Sequence, residues 1–327
     1  MNNIFSLNLK LVKHCLKNKK RITLSLIVTF LITGGISITP IFARDLRSRQ
    51  REKNNVIPDS SGGGPGMNTA ANGADVVNIV DANQDGISHN KFIDLSVGSG
   101  NALIFNNSMI HGVSQLGGYV TKNTNLTKNA SVILNEVKGN NISTINGGVE
   151  IFGTKADFIL ANENGISLND ATFINTNGVT LATGSPSINN GNINFDINRG
   201  EINLNGVGTS GSYFNVLAKT VLIQKEISGL KNEPTLDISI IAGENKISLE
   251  KNKFVSPKII ESKVTKTDKY GIYATQLGAM YGKNIKLIST DEGLGVKHEG
   301  LIYSSQDIEI DNKGDIILAN LSAKNNW

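Results

Sequence analysis

Short runs of alternating apolar and polar residues recur along the chain from about residue 76 to residue 323. Each run spans four to seven residues and has the period of a half-buried β-strand. Asn, Gly and Asp fill the positions between runs, and these residue types tolerate the positive φ angles of tight corners. We therefore predict about fifteen strands, among them VVNIV at 76, FIDLSV at 92, SVILNEV at 131, DFILAN at 157, LDISII at 236, NIKLIS at 284 and DIILANLSA at 315.

Beyond the first 43 residues, no segment has apolar residues at helical spacing for three turns. The pattern thus predicts an all-β protein: a sandwich, a closed barrel, a propeller or a parallel β-helix. A polar-x-apolar-x-apolar unit recurs weakly at about 10 and 20 residues, which favours a β-helix (solenoid) with about ten coils of about 20 to 25 residues. A propeller is the structural alternative, but no blade-length repeat with aromatic punctuation is present.

The first 43 residues have the organisation of an export signal. Six Lys and Arg and no acidic residue occur there, followed by the apolar run ITLSLIVTFLITGGISI and a small residue, Ala43. We predict an extended signal peptide over residues 1–43 with cleavage after Ala43. The alternative is a retained membrane anchor formed by residues 23–38, because about 20 apolar residues span a bilayer.

Composition changes this picture in two respects. The formal charge of +4 falls to −2 once residues 1–43 are removed, since 26 Lys and Arg then face 28 Asp and Glu. We therefore expect no nucleic-acid partner, which would need a concentrated basic face. The only cysteine, Cys15, lies in the predicted signal, so the mature chain can form no disulfide, zinc–thiolate site or thiol nucleophile.

Residues 44–67 contain a charged decapeptide and SSGGGPG, with little apolar material. We predict a flexible leader there. The folded body is expected to begin near Asn68, and residues 68–105 are the candidate cap over the exposed end of the solenoid.

Three stretches of the chain carry a family resemblance over nearly all of residues 65–305. They are GPGMNTAANGADVVNIVDANQDGISHNKFIDLSV with ALIFNNSMIHGVSQLGGYVTKNTNLTKNASVILNEV, then INGGVEIFGTKADFILANENGISLNDATFINTNGVTLATGSP, and LGAMYGKNIKLISTDEGLGVKHEGLIYSS. These stretches strongly resemble the secretion domain of two-partner-secretion exoproteins, which are the filamentous-haemagglutinin, haemolysin and contact-dependent-inhibition proteins of Gram-negative bacteria.

The resemblance implies a right-handed parallel β-helix with an N-terminal β cap and extra-helical strands over residues 68–305. Residues 306–327 would then begin further β-helix repeats, in a chain that is truncated or is a minimal secreted module. It also implies the partners: the Sec machinery, signal peptidase and the periplasmic domains of a TpsB-type outer-membrane transporter. The expected location is the cell surface or the medium, reached through the periplasm and outer membrane.

Two signature turns of the family, Asn-Pro-Asn-Leu and Asn-Pro-Asn-Gly-Ile, have counterparts that lack the proline. Proline fixes φ near −65°, so its loss removes preorganisation but leaves the turn possible. The resemblance makes these turns candidate transporter-recognition elements; the alternative is that they only shape corners of the β-helix. Many relatives carry a cysteine pair where this chain has Leu168 and Ala171. The candidate residues are Asn123, Asn125 and Leu126 in the first turn, and Asn162, Asn164, Gly165 and Ile166 in the second.

Catalytic, metal and cofactor chemistry has little support in the sequence. Asp81, Asn83, Asp85 and Gly86 begin like a calcium loop, but the twelfth position is Phe92 instead of Glu, so we expect a polar loop. We expect neither a catalytic site nor a cofactor. The histidines of the mature chain are expected at surfaces or corners, and the C-terminal acids on solvent-facing strand positions: His89, His111 and His298, and Asp307, Glu309, Asp311 and Asp315.

Three functions therefore remain for comparison. The leading hypothesis is an exported module that targets an exoprotein, the N-terminal part of an adhesin or haemagglutinin, to its transporter. The second is a self-standing adhesin that binds glycans on host or neighbouring cells. The third is a β-helix enzyme that acts on polysaccharides.

Overall fold

A computed structural model describes residues 52–230, 234–263 and 270–324. These residues form 28 strands and no helix, and hence no helix long and apolar enough to cross a membrane. The predicted signal peptide, its cleavage site and Cys15 lie outside the described residues.

One side of the molecule is a nine-stranded sheet, here sheet 1. Its first pair is antiparallel and all later pairs are parallel, so successive coils stack rung upon rung. With strands numbered in chain order, its spatial order is β1 (Asn55–Pro58), β4 (Ile87–Ser96), β8 (Val132–Val137), β11 (Ala156–Asn162), β13 (Thr176–Ala182), β17 (Tyr213–Ala218), β20 (Asp237–Ala242), β25 (Ile285–Ser289) and β27 (Ile308–Asn312).

The other two sides of each coil belong to a thirteen-stranded sheet, sheet 2. The longest strands of this sheet bend at a corner of the coil. The first half of such a strand pairs with one short strand of the neighbouring coil, and its second half pairs with another short strand. Its strands are β2 (Gly66–Thr69), β3 (Asp75–Asn78), β5 (Ala102–Asn107), β9 (Ser143–Ile145), β10 (Gly148–Gly153), β12 (Ile166–Ile174), β16 (Glu201–Thr209), β18 (Thr220–Ile223), β19 (Ile227–Gly229), β23 (Tyr270–Ala274), β24 (Met280–Gly282), β26 (Gly295–Ser304) and β28 (Ile316–Ala323).

The register between rungs gives the length of each coil. Ile133 pairs with Phe158, and Phe158 in turn with Val179, so plain coils return after 25 and 21 residues. Longer coils carry hairpins, as between Val179 and its partner Phe214. Sheet 1 consequently has eight rungs from β4 to β27 instead of the ten coils expected, because the hairpins take up residues. The parallel β-helix prediction is confirmed, and the plain coils have the predicted length, but the coils with insertions are longer. The 28 strands exceed the roughly fifteen predicted, because the short strands at corners and cap have too few residues for an alternating pattern.

The interior of the coils is a continuous apolar core. Aromatic rings contact one another along it: the ring of Phe158 lies 5.2 Å from that of Phe105, edge to face, and 5.5 Å from that of Phe173, at a tilt of 46°. All three side chains are fully buried. Aromatic contacts of this kind contribute beyond the area they bury, so these rings join three strands of the coils.

Extra-helical strands cover the outer face of sheet 1, as predicted. Two hairpins from different coils join into a four-stranded antiparallel sheet, sheet 3. Its Phe195 and Ile247 pack against Leu134 and Ile159 of sheet 1 in a second apolar cluster. The central strands of sheet 1 are thus buried on both faces, which explains their nearly continuous apolar runs. Sheet 3 contains β14 (Gly184–Asn189), β15 (Asn192–Ile197), β21 (Asn245–Leu249) and β22 (Lys258–Ser262).

The N-terminal cap starts earlier than predicted. Residues 55–58 form β1 and residues 66–69 form β2, so the prediction of a flexible leader is wrong across these strands. Each pairs antiparallel with the first strand of its sheet, β1 with β4 and β2 with β3. The leader looked unstructured because these strands obtain their stability from backbone pairing with that neighbour, which apolar patterning cannot reveal. A small hairpin of β6 (Gly112–Ser114) and β7 (Gly118–Val120) completes this end.

At the other end β27 and β28 form the last rung. Ile308 and Ile310 are half-buried and pack against the core, while the acids between them face solvent. Glu309 pairs with Lys286 at 2.8 Å on the preceding rung. Asp307, Asp311 and Asp315 are exposed, so all four C-terminal acids occupy the solvent-facing positions expected of them.

Replacing Phe158 with Ala should lower the free energy of unfolding by roughly 3–5 kcal/mol, because it removes the middle ring of the aromatic cluster and leaves a cavity. Urea denaturation measures this loss. Leu277→Ala, at an exposed loop position, serves as the control and should change stability by about 0.5 kcal/mol or less. Equal effects of the two substitutions would contradict the placement of the core.

Candidate functional site

The first candidate turn is a corner held by asparagine side chains. Asn123 is 2% exposed, and its Nδ2 donates to the backbone oxygens of Ile79 at 2.9 Å and Asn106 at 3.0 Å. Its Oδ1 accepts from the backbone N–H of Asn125 at 3.0 Å, which closes an Asx-turn. Leu126 is buried in the core. The side-chain amide of Asn123 therefore bonds the turn to two other segments of the chain.

The second turn repeats this arrangement. Asn162 is 1% exposed; its Nδ2 donates to the backbone oxygen of Asn141 and to Ser143 Oγ, both at 3.0 Å. Its Oδ1 accepts from the backbone N–H of Asn164 at 3.0 Å. The Asn164 side chain then donates to the backbone oxygen of Gly139 at 2.7 Å. Ile166, which follows, is buried and begins β12.

The two turns are thus similar in structure as well as in sequence. In each, the first Asn is buried and bonded to another segment, and the third-position Asn caps a carbonyl of the same region. The second positions, where the family has proline, are more open: Thr124 is exposed, and Glu163 forms an ion pair with Arg199 at 3.2 Å. Both turns form without proline because the Asx geometry supplies the bend.

Gly165 ends the second turn in a conformation that favours glycine. Its φ is +126°, and a Cβ there would come within 2.9 Å of the backbone oxygen of Glu201 on the next coil. Its N–H donates to the backbone oxygen of Asn162 at 3.1 Å, and its carbonyl accepts from Ser143 N–H. The glycine therefore lets two neighbouring coils approach the turn closely.

Leu168 and Ala171, the positions that the resemblance matches to a cysteine pair, are both fully buried in the core of the coils. These two side chains contribute to the apolar packing of β12.

The segment that begins like a calcium loop is bonded internally. Asp81 accepts from the backbone N–H of Thr127 at 2.8 Å and from its hydroxyl at 2.6 Å. The Asn83 side chain accepts from two backbone N–H groups, and Asp85 pairs with Lys251 at 2.8 Å. Among the described residues no cluster of His, Cys, Asp and Glu is arranged to hold a metal ion. The loop therefore belongs to the cap, where Asp81 reaches the first candidate turn.

Two histidines differ from the expectation of surface or corner positions. His89 Nε2 lies 2.8 Å from Glu136 Oε2, although the sequence implied no paired carboxylate. Burial opposes ionisation of Glu136, but the hydrogen bond and charge of His89 hold the pKa of this carboxyl below its usual value. His298 is buried in β26 and bonds to no side chain among the described residues, and only the backbone of Gly300 is close enough to its ring to affect its charge. Burial lowers its pKa to about 4. His111 is exposed, as expected.

Sequence reasoning missed one residue that does the same structural work as the turn asparagines. Asn107 is fully buried, donates to the backbone oxygens of Ala130 and Thr154, and accepts from Ala130 N–H. It lies at the end of a strand without a turn motif around it, so no local pattern signals its role. It provides a matched control for the motif asparagines.

Gly165→Ala should destabilise the protein by roughly 1–3 kcal/mol, since it adds backbone strain and a collision with a fixed carbonyl. Gly73→Ala is the matched control, because Gly73 also has a positive φ of 88° but has open space where a Cβ would lie. The thermal unfolding midpoint should therefore fall more for Gly165→Ala. Equal midpoints for the two variants would show that the contact with Glu201 is unimportant.

Stability should depend on pH through two buried groups with opposite signs. The lowered pKa of His298 makes stability fall as pH drops from 6.5 to about 4, because only the unfolded chain takes up the proton. Burial raises the pKa of Asp157 to about 6, so its contribution is present below 3.8 and is lost as pH rises through 6.

Each substitution removes the contribution of one group, so the pH dependence of stability in that variant should reflect the other group. In His298→Leu, the slope of the free energy of unfolding against pH should be lower than in wild type between pH 4 and 6. The difference should be about 1.4 kcal/mol per pH unit. Asp157→Asn should do the reverse over the same window. Urea unfolding at pH 4, 5 and 6 measures both; parallel curves for wild type and variants would refute the assignment.

Comparison with known proteins identifies the family. The TPS secretion domain family matches residues 54–318. Filamentous hemagglutinin of Bordetella pertussis is 39% identical over 252 residues, which are 76% of this chain and 7% of that protein. A hemolysin of Serratia marcescens is 35% identical over 266 residues, covering 78% of this chain and 16% of the hemolysin.

The fold comparison agrees. The crystal structure of the filamentous hemagglutinin secretion domain matches with a TM-score of 0.74 and 33% sequence identity, over 83% of this chain and 97% of that one. The chain therefore spans nearly all of a solved secretion domain but a small fraction of the curated relatives. With its parallel β-helix and its match over residues 54–318, the chain belongs to the TPS (two-partner secretion) secretion domain family.

Proposed function

We propose that this chain is a targeting module that delivers an exoprotein to a cognate TpsB-type outer-membrane transporter. The observation that carries the proposal is the continuous family match over residues 54–318, together with 33% identity to a solved secretion domain along almost its whole length. The rest of such an exoprotein, whether adhesin, haemagglutinin or cytolysin, lies outside the part these comparisons cover. No enzymatic role is proposed for these residues.

The proposed route begins with residues 1–43 as an extended signal peptide that the Sec machinery reads and signal peptidase removes after Ala43. The chain then meets the periplasmic domains of the transporter, crosses the outer membrane, and folds at the cell surface or in the medium. The single cysteine at position 15 supports this order, because no disulfide could lock the processed chain before it crosses.

The two asparagine turns are the recognition elements in this proposal. Because the first asparagine of each turn is buried in the folded protein, the transporter would bind these turns before folding. Asn123 and Asn162 are almost fully buried, and their amide groups are bonded to other segments of the chain. A transporter can contact these side chains only before the coils close. Folding then removes them from the transporter, which favours release once the chain has emerged.

Slow coil closure makes this order physically reasonable. In sheet 1, each parallel rung pairs residues that lie at least 20 positions apart, and rungs with inserted hairpins pair residues up to 47 apart, as Ile238 does with Ile285. Nonlocal pairing of this kind folds slowly compared with local structure. The chain therefore has time to be bound in an extended form.

A comparison of buried asparagines separates recognition from folding. Asn123→Ala and Asn162→Ala should each remove about 1–3 kcal/mol of stability, because buried carbonyls lose their donor, and Asn107→Ala should do the same. With the transporter co-expressed, the two turn variants should leave several-fold less protein in the medium than Asn107→Ala does. Immunoblots of medium and cells, with urea unfolding of each purified variant, measure both quantities.

The controls decide between the possible roles. If all three variants lose export in proportion to lost stability, the turns serve only the fold. If wild-type protein reaches the medium equally well without a transporter gene, the targeting proposal itself is wrong.

A further inference from the structure

A cluster of apolar side chains projects from the cap beside the first candidate turn. Met109, Ile110, Val113 and Tyr119 define this surface, here the hairpin surface, and all four are exposed. Ile110 is 73% and Val113 is 79% exposed, values typical of side chains with no packing role in the fold. Soluble proteins rarely concentrate so many large apolar groups in one exposed segment without a partner.

The segment that carries these side chains is firmly held. The buried carboxylate of Glu150 accepts from Ser114 Oγ at 2.8 Å, Gln115 N–H at 2.9 Å and Leu116 N–H at 2.7 Å. Phe152, which is also buried, lies against Gly112 at the start of β6. A charged group buried among three donors fixes the hairpin, so the apolar side chains are presented from a rigid base.

The cap holds the hairpin from its other side. Asn72 donates from Nδ2 to the backbone oxygen of Leu116 at 2.7 Å, and Ala71 N–H donates to the backbone oxygen of Tyr119 at 3.1 Å. The ring of Tyr119 stacks on His111 with centroids 6.2 Å apart. These contacts prevent the exposed side chains from collapsing back onto the protein.

The charge around the hairpin surface is positive. Residues 107–130 contain no Asp or Glu, and they include Lys122 and Lys128, both exposed. The described ion pairs involve neither lysine. Of the nearby carboxylates, Glu150 is buried under the hairpin and Asp81 is bonded to Thr127. Lys128 Nζ donates to the backbone oxygen of Gln84 at 3.4 Å. The backbone N–H of Lys122 donates to His111 Nδ1 at 3.2 Å, so this lysine lies beside the hairpin. The hairpin surface therefore combines aliphatic groups and one tyrosine with an adjacent lysine and little negative charge.

We propose that the hairpin surface docks on a lipid surface that carries anionic head groups. Aliphatic side chains enter the boundary between head groups and acyl chains, tyrosine lies at the level of the head groups, and lysines contact phosphate. The folded module would thereby rest on a membrane through its cap. This proposal concerns the folded protein alone and does not depend on recognition by a transporter.

A fluorophore at the tip of the hairpin tests the contact locally. In the full chain with Cys15→Ser, Val113→Cys is labelled with an environment-sensitive dye, and Leu277→Cys, at a position 76% exposed, is the matched control. Vesicles of phosphatidylethanolamine and phosphatidylglycerol should shift the emission of the dye at 113 to shorter wavelength and leave that at 277 unchanged. The local readout separates the hairpin from any binding by the apolar run of residues 22–32.

Further variants test the two components of the surface. Lys122→Gln should raise the vesicle concentration at half-maximal shift about fivefold, since one surface lysine contributes about 1 kcal/mol. Ile110→Ser with Met109→Ser should abolish the shift. Unchanged thermal midpoints would show that all variants remain folded, as their exposure predicts.

Three results would overturn the proposal. They are no shift at 113, equal shifts at 113 and 277, or a shift at 113 that depends on protein concentration without vesicles. The last would assign the hairpin surface to contact between two copies of the chain. A shift as large on phosphatidylcholine vesicles would refute the role of the anionic head groups.

Discussion

Parallel backbone pairing between successive coils is the constraint on which the rest of this structure depends. A rung forms only if the chain returns in register, as Phe158 does beside Ile133 and again beside Val179. Register places the apolar side chains of every coil inward, where the phenylalanine rings contact one another. A register shift of one residue would move the apolar side chains of that strand from the core to the outer face. The corners, which set the register, must therefore be as well defined as the strands.

Corners are defined by amide side chains. A coil must turn sharply, and turning leaves backbone carbonyls without a strand partner; buried carbonyls without partners are costly. Asn123, Asn162 and Asn107 each supply donors to such carbonyls and are themselves buried. The same geometry gives the first asparagine of each turn motif two states with different accessibility, open in the extended chain and buried in the fold. That difference is the physical basis of the order of events that we propose for export.

Buried ionisable groups are held in contrasting ways. Asp157 accepts a hydrogen bond from Tyr213 at 2.8 Å, and Lys219 joins Glu244 and Asp291 at 2.9 and 2.6 Å, linking residues up to 72 positions apart. His298 has no such partner in the described part of the chain. Because burial disfavours the charged form of both His298 and Asp157, the two groups give opposite dependences of stability on pH. The two dependences therefore oppose each other between pH 4 and 6.

The sequence by itself determined the all-β class, the length of the plain coils, the absence of helices from the described residues and, through the resemblance, the family with its two turns. It predicted about fifteen of the 28 strands. These features are local: each depends on a period, a corner residue or a motif of four or five positions. Tertiary structure alone decided that residues 55–58 and 66–69 are strands, because both are stabilised by pairing with a neighbour. It also decided that Ile193 of one hairpin pairs with Leu249 of another, and that His89 meets Glu136. The last two contacts join residues 56 and 47 positions apart, and no local pattern in the sequence specifies which coils will lie side by side.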